Sequence, residues 1–106
     1  MDAIGALANV ARRSTERYHE FLRVPAMSVG VYVLPAGATD GQSPHGEDEI
    51  YYVVQGKARF LHGALDQPVA PGDVLFVPAH DEHRFHSVEE ELVVLVVFAP
   101  AEQAPG

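Results

Sequence analysis

Short runs of alternating or continuous apolar residues, separated by turns rich in glycine and proline, make up most of the chain. Alternation with a period of two is typical of half-buried β-strands, and Pro-Gly, Gln-Gly and His-Gly pairs are typical of turns. Eight or nine short strands with one helix at most predict an all-β antiparallel sandwich or small barrel. The predicted strands lie at residues 18–24, 27–34, 49–54, 57–62, 68–70, 73–77, 83–87 and 92–99, with a turn at 55–56 and a solvated acidic loop at 89–91.

The N-terminal segment has a different period. Ile4, Leu7 and Val10 or Ala11 recur at helical spacing within residues 2–16. Gly5 weakens the pattern, so the segment is either a short helix or a frayed arm. The sequence therefore predicts three parts: an N-terminal arm or short helix with an edge strand at 1–24, a β-barrel at 25–100, and a loose tail at 101–106.

The predicted last strand, residues 92–99, does not alternate and is apolar on both faces. A strand of this kind is covered on both sides, so we expect a partner subunit or the N-terminal arm to lie against it. The predicted assembly is a homodimer with this strand or the arm at its interface.

Composition narrows the class of protein. With 106 residues and 47% hydrophobic positions, the chain is sufficient for one compact domain. A net charge of −8 and the lack of a basic patch argue against nucleic acid and anionic membrane surfaces as partners. The N-terminus carries an acid where a secretory signal has basic residues, and the longest apolar run is too short to span a bilayer. We therefore expect a soluble, cytoplasmic protein.

Two segments carry candidate chemistry. His45 and Glu49 lie four positions apart at the start of one predicted strand, and His83 follows the turn after another. If the two segments pair in space, these three side chains form a cluster that holds a divalent metal on one face and leaves the other face open. Without cysteine, any metal must bind nitrogen and oxygen donors. Glu49 shares the inward parity of its strand, whereas Glu47 and Asp48 are predicted to be rim charges.

The first segment resembles the first sequence motif of the cupin family. That motif is a glycine, five residues, His-x-His, three or four residues, a glutamate, six residues and a glycine. In this chain Gly37, His45, Glu49 and Gly56 fall at matching positions, and Ser43 replaces the first histidine.

The second segment resembles the second cupin motif, which is a glycine, five residues, Pro-x-Gly, two residues, a histidine, three residues and an asparagine. Gly72, Pro78 and His83 match, whereas His80 stands at the second glycine and Ser87 at the asparagine. The resemblance covers roughly residues 27–99.

The resemblance implies a double-stranded β-helix or jelly-roll barrel, frequently paired into dimers. It also implies a metal site, which in the family is usually three histidines and one glutamate. His45, Glu49 and His83 match three of these ligands, and Gln42 is a further candidate ligand beside the position of Ser43. The expected cofactor is one divalent transition metal: iron, manganese, nickel, copper or zinc. The alternative is a site that has decayed and binds nothing.

Three functions remain open at the level of sequence. A metal-dependent enzyme would act on a small oxygenated organic molecule inside the barrel, by dioxygenase-, isomerase- or cyclase-like chemistry, with Tyr51 or His80 moving protons. A binding or sensing module would hold a small molecule without turnover. In a purely structural domain the metal would only fasten the two sheets.

Overall fold

The computed structural model describes residues 3–41 and 44–103. Gln42, the further candidate ligand, and Ser43, at the position of the missing histidine, lie outside the described residues. The helix and strands found in these ranges are α1 (Ile4–Arg13), β1 (Tyr18–Val24), β2 (Met27–Leu34), β3 (Asp48–His62), β4 (Leu65–Val69), β5 (Val74–Val77) and β6 (His83–Ala99).

All strand pairs are antiparallel. The strand order is β1-β2-β6-β3-β4, and β5 pairs with the first part of β3. Strand β1 spans the residues of the predicted first strand and pairs with β2 at one end of this order. The predicted all-β architecture with a short N-terminal helix is confirmed.

The two longest strands differ from the prediction, because the expected turn at 55–56 and loop at 89–91 lie inside continuous strands. The β3–β6 register shifts on both sides of Gln55 and Lys57, so the chain forms bulges there instead of reversing. Gly56 has φ +108°, and a Cβ atom at this position would collide with the carbonyl oxygen of Glu91. Glycine therefore allows β6 to cross closely at a bulge, which a Gln-Gly pair alone does not reveal.

The barrel interior is filled by inward side chains from β2, β3 and β6, with Tyr51, Phe60 and Phe85 among the largest. A second core lies on the outer face, where α1 packs Leu7, Ala8 and Ala11 against the sheet. Their partners on the sheet are Val31, Val33 and Val93. The N-terminal helix thus packs mainly on β1 and β2 and reaches the outer face of the last strand at Val93.

The segment after β6 differs from the expected loose tail as far as the structure describes it. Ala101 is 3% exposed, and its backbone N–H donates to the carbonyl of Pro25 at 3.3 Å. The N–H of Glu102 donates to the Ser28 hydroxyl at 2.9 Å. Residues 101–103 are therefore attached to the β1–β2 hairpin. Across residues 3–41 and 44–103, no helix is long and apolar enough to cross a membrane.

Candidate metal centre

Glu49 lies near the start of β3 between two neighbouring strands, opposite Val77 of β5 and Phe98 of β6. It is 2% exposed, as its inward parity predicted. The same parity applies to Glu47, which is 7% exposed, so the prediction of Glu47 as a rim charge was wrong. Asp48 faces outward, and its carboxylate accepts the backbone N–H of Ala79 at 2.8 Å. Two buried carboxylates therefore enter the barrel from one strand end.

His83 begins β6 and makes direct contact with Glu49. Its Nε2 lies 2.8 Å from Glu49 Oε1 and 3.1 Å from the Tyr51 hydroxyl, and its Nδ1 lies 2.9 Å from the carbonyl oxygen of Asp81. Since a carbonyl oxygen only accepts, Nδ1 carries a hydrogen, and Nε2 is the nitrogen left to bind a proton or a metal. Donation of the other ring N–H to an oxygen is the usual arrangement of metal-binding histidines.

The surroundings of His83 favour a positive charge. Burial by itself lowers the pKa of His83, but the contact with Glu49, the hydrogen bond to the Asp81 carbonyl and the charge of Asp40 together raise it above its ordinary value. The nitrogen that faces Glu49 is thus placed where a cation is stabilised.

Glu49 retains one oxygen with unused hydrogen-bonding capacity. Oε2 is buried and has no hydrogen-bond partner among the described residues. Leaving a buried acceptor unsatisfied costs about 1–3 kcal/mol, and more for a charged group. Glu49 and His83 together offer a carboxylate oxygen and an imidazole nitrogen, the donor types that divalent transition metals take from cysteine-free sites. These two residues fit the metal that the resemblance implies.

His45 is also buried, at 9% exposure, but it contacts other residues. Its Nδ1 lies 3.2 Å from Glu102 Oε2 and 4.0 Å from Glu47 Oε1, and its ring meets Phe98 edge-on at a centroid distance of 5.0 Å. Within residues 3–41 and 44–103, no three histidine, aspartate or glutamate side chains are arranged to hold a metal ion as they stand. The structure brings Glu49 and His83 together, and the three-ligand set with His45 stays a prediction.

Tyr51, a predicted proton-transfer residue, is completely buried next to His83. Its ring packs edge-on against Phe60 and Phe85, at centroid distances of 5.9 and 5.0 Å. Burial, followed by the negative charge of Glu49, raises the pKa of Tyr51 well above its ordinary value. The phenol therefore keeps its proton at neutral pH and acts as a hydrogen-bond donor or acid rather than as a base.

His80, the other predicted proton-transfer residue, is exposed in the turn between β5 and β6. Its backbone N–H donates to the carbonyl of His45 at 2.7 Å, and its Cε1 lies 3.6 Å from the point that a Cβ on Gly46 would occupy. The turn therefore places His80 beside His45. With φ +70°, His80 adopts the left-handed conformation that glycine adopts readily, and glycine is the residue at this position of the cupin motif.

Glu102 was missed by the sequence analysis, because it lies in the expected tail. Its side chain is 14% exposed and contacts His45. Burial and the nearby carboxylates of Glu47, Glu20 and Glu49 raise the pKa of Glu102, while His45 lowers it. The burial of Glu47 could have been predicted from its strand parity, but no local sequence pattern indicates that Glu102 contacts His45.

A family model described as Cupin domain matches residues 30–98. An uncharacterized protein of Streptomyces coelicolor is 52% identical over 85 residues, covering 80% of this chain and 81% of that protein. The oxalate-binding protein of Thermotoga maritima is 39% identical over 51 residues, 47% of this chain and 42% of that protein, so the chain spans less than half of its length. The crystal structure of a predicted oxalate decarboxylase from Thermotoga maritima has a TM-score of 0.68 at 27% identity and covers 78% of both chains.

The structural likeness extends over most of the barrel, and the predicted jelly-roll barrel is confirmed. The family match covers nearly all of β2 to β6, including His45, Glu49 and His83. The chain belongs to the cupin family.

Proposed function

We propose that this protein is a metal-dependent enzyme that acts on a small oxygenated organic molecule inside the barrel. The observation that supports the proposal is the buried carboxylate of Glu49, with Oε1 at 2.8 Å from His83 Nε2 and Oε2 without a hydrogen-bond partner among the described residues. A buried carboxylate is costly unless a cation or hydrogen-bond donors compensate its charge, so this position favours a bound cation. Glu49 and His83 would hold one divalent transition metal, and His45 and Gln42 are the candidates to complete its ligand set.

When bound, the metal would supply Lewis-acid polarisation of an oxygen on the substrate. Glu49 would contribute the negative charge that retains the cation, and the Asp81 carbonyl keeps a hydrogen on His83 Nδ1, so that Nε2 is the ring nitrogen that would bind the metal. Tyr51 holds a proton in a water-excluded position 3.1 Å from the same nitrogen. It is thus placed to donate a hydrogen bond to an oxygen that becomes negatively charged.

Metal content is the direct test. Protein purified without chelators should contain about one equivalent of divalent metal per chain, and His83→Ala should lose it because the ligand nitrogen is removed. The matched control is His86→Ala, since His86 lies on the same strand but contacts Asp66 at the surface. Wild-type protein that stays metal-free after reconstitution, or equal metal loss in both variants, would contradict the proposal.

The alternative is a non-catalytic module that binds or senses a small molecule. It is favoured by the Thermotoga maritima relative described as oxalate-binding. Oxalate, a small dianion with oxygen donors, suits an open metal position. Calorimetry with oxalate on the metal-loaded protein, alongside detection of released carbon dioxide, separates binding from turnover.

The variant Tyr51→Phe helps to separate oxalate binding from oxalate turnover, because it removes only the hydroxyl from a buried ring. If the protein turns oxalate over, loss of the acid should lower kcat by about 10²–10⁴-fold and leave oxalate binding largely intact. If oxalate binds without carbon dioxide release in wild type, the binding module is the better description for this ligand.

A further inference from the structure

The segment that follows β6, residues 100–103 (the C-terminal strap), is fixed by its backbone. The N–H of Glu102 donates to the fully buried Ser28 hydroxyl at 2.9 Å, and the Arg23 guanidinium donates to the carbonyl of Glu102. Both partners belong to the β1–β2 hairpin, so the main chain at Glu102 is held on each side of its Cα. Because these hydrogen bonds use only the backbone of Glu102, they remain when its side chain is replaced.

This backbone directs the carboxylate of Glu102 at His45. Oε2 lies 3.2 Å from His45 Nδ1, with side-chain exposures of 14% and 7%. The next carboxylate, Glu47, is farther away at 4.0 Å. Because an ionised carboxylate only accepts hydrogen bonds, the contact favours the tautomer of His45 that carries its hydrogen on Nδ1 and leaves Nε2 unprotonated.

The arrangement parallels the one at His83, whose Nδ1 is held by the carbonyl of Asp81. Each of the two histidines thus has an oxygen acceptor at Nδ1, although one acceptor is a backbone group from a nearby turn and the other comes from the C-terminal strap. An oxygen acceptor at the non-ligating nitrogen is what orients metal-binding imidazoles and raises their basicity.

We infer that Glu102 is a positioning residue of the metal centre, which holds His45 in the tautomer whose Nε2 binds the metal. The inference rests on the proposed metal binding and adds to it a residue from outside the family's sequence motifs. The C-terminal strap would then be part of the site, and substitutions in it would change metal affinity without touching a ligand.

A substitution series at Glu102 tests this inference by metal affinity, measured through competition with a chelator. Glu102→Leu removes the acceptor and should weaken metal binding by about 10–100-fold. Glu102→Gln keeps an amide oxygen and should fall between wild type and the leucine variant. The backbone contacts with Ser28 and Arg23 remain in both variants, so the strap should stay in place.

Glu20→Gln is the matched control. It removes one charge from the carboxylates that surround Glu102, but Glu20 contacts Arg23 rather than His45. An affinity of Glu102→Leu equal to that of Glu20→Gln would overturn the inference, since the effect would then be one of charge alone. Tighter metal binding by Glu102→Leu would also overturn it, because Glu102 would then compete with the metal for His45.

The tautomer of His45 provides a readout that does not depend on metal. Long-range ¹H–¹⁵N correlation spectra of the metal-free protein, at a pH well above the ordinary histidine pKa, should show the Nδ1-protonated form in wild type and a shift toward the Nε2-protonated form in Glu102→Leu. The same tautomer in both proteins would overturn the inference. A wild type that binds no metal but shows this shift would refute the proposed function and the positioning role at a metal, and would leave only the effect of Glu102 on the His45 tautomer.

Discussion

Replacing Glu49 by glutamine should abolish the metal dependence of stability and leave the metal-free protein folded. Glu49 contacts His83 with one oxygen and has no hydrogen-bond partner for the other among the described residues. Removing one partner of a buried ion pair is costly when it strands the other charge. In this case His83 can release its proton and remain neutral, so no charge is stranded.

The substitution should change the stability of the metal-free protein only slightly, but it should remove most of the stabilisation that bound metal provides. In the metal-free protein, glutamine replaces a carboxylate whose unsatisfied oxygen already costs about 1–3 kcal/mol, so the free energy of unfolding should change by only about 1 kcal/mol in either direction. In the wild type, metal at about 100 times its Kd should add about 2.7 kcal/mol to the free energy of unfolding. For a domain of this size that corresponds to a rise in Tm of about 10–20 °C. The amide is a weak, neutral ligand, so the variant should gain little.

Thermal unfolding followed by circular dichroism, with chelator and then with added divalent metal, measures both effects. Glu90→Gln serves as the control, because it removes one carboxylate from an exposed position on β6. Its Tm should rise with metal as in the wild type. Equal metal-induced shifts in Glu49→Gln and wild type, or a wild type whose Tm does not respond to any of the candidate metals, would refute the assignment of Glu49 as a ligand.

Three further predictions concern the rest of the barrel. The hydrogen bond from Arg12 lowers the pKa of Glu91, so the pair should stabilise the protein at neutral pH and lose this contribution as pH falls through the folded-state pKa of Glu91. Both side chains are about one-third exposed, so Glu91→Gln should lower the free energy of unfolding by less than about 1 kcal/mol at neutral pH and leave it unchanged in acid, as measured by urea unfolding. The homodimer with the strand at 92–99 or the N-terminal arm at its interface stays a prediction. We propose that the interface also includes Tyr52 and Phe76, which are 43% and 58% exposed on the outer face of β3 and β5. Phe76→Glu should give a monomer by light scattering, and a monomeric wild type at micromolar concentration would contradict the predicted dimer. His80→Gly should remove the left-handed strain of a non-glycine residue and raise stability by about 1 kcal/mol, whereas an unchanged Tm would mean that His80 makes compensating contacts.

Several features were determined by the sequence alone, because they depend on local periodicity. Alternation along the strand placed Glu49 inside, and the same rule, applied consistently, would have placed Glu47 inside as well. The non-alternating run at 92–99 required cover on both faces, and the helix pattern at the N-terminus offered one source of that cover. The spacing of His45, Glu49 and His83 identified the two segments that meet at the candidate site.

Only the tertiary structure decided how distant segments meet. A Gln-Gly pair is compatible with a turn or a bulge, and the choice at Gly56 depends on the approach of Glu91 from another strand. The contact between Glu102 and His45 has no local signature, because it arises when the chain leaves β6 and is hydrogen-bonded to the β1–β2 hairpin. Strand periodicity specifies which face a side chain occupies, but the partner on that face is set by the packing of elements far apart in sequence.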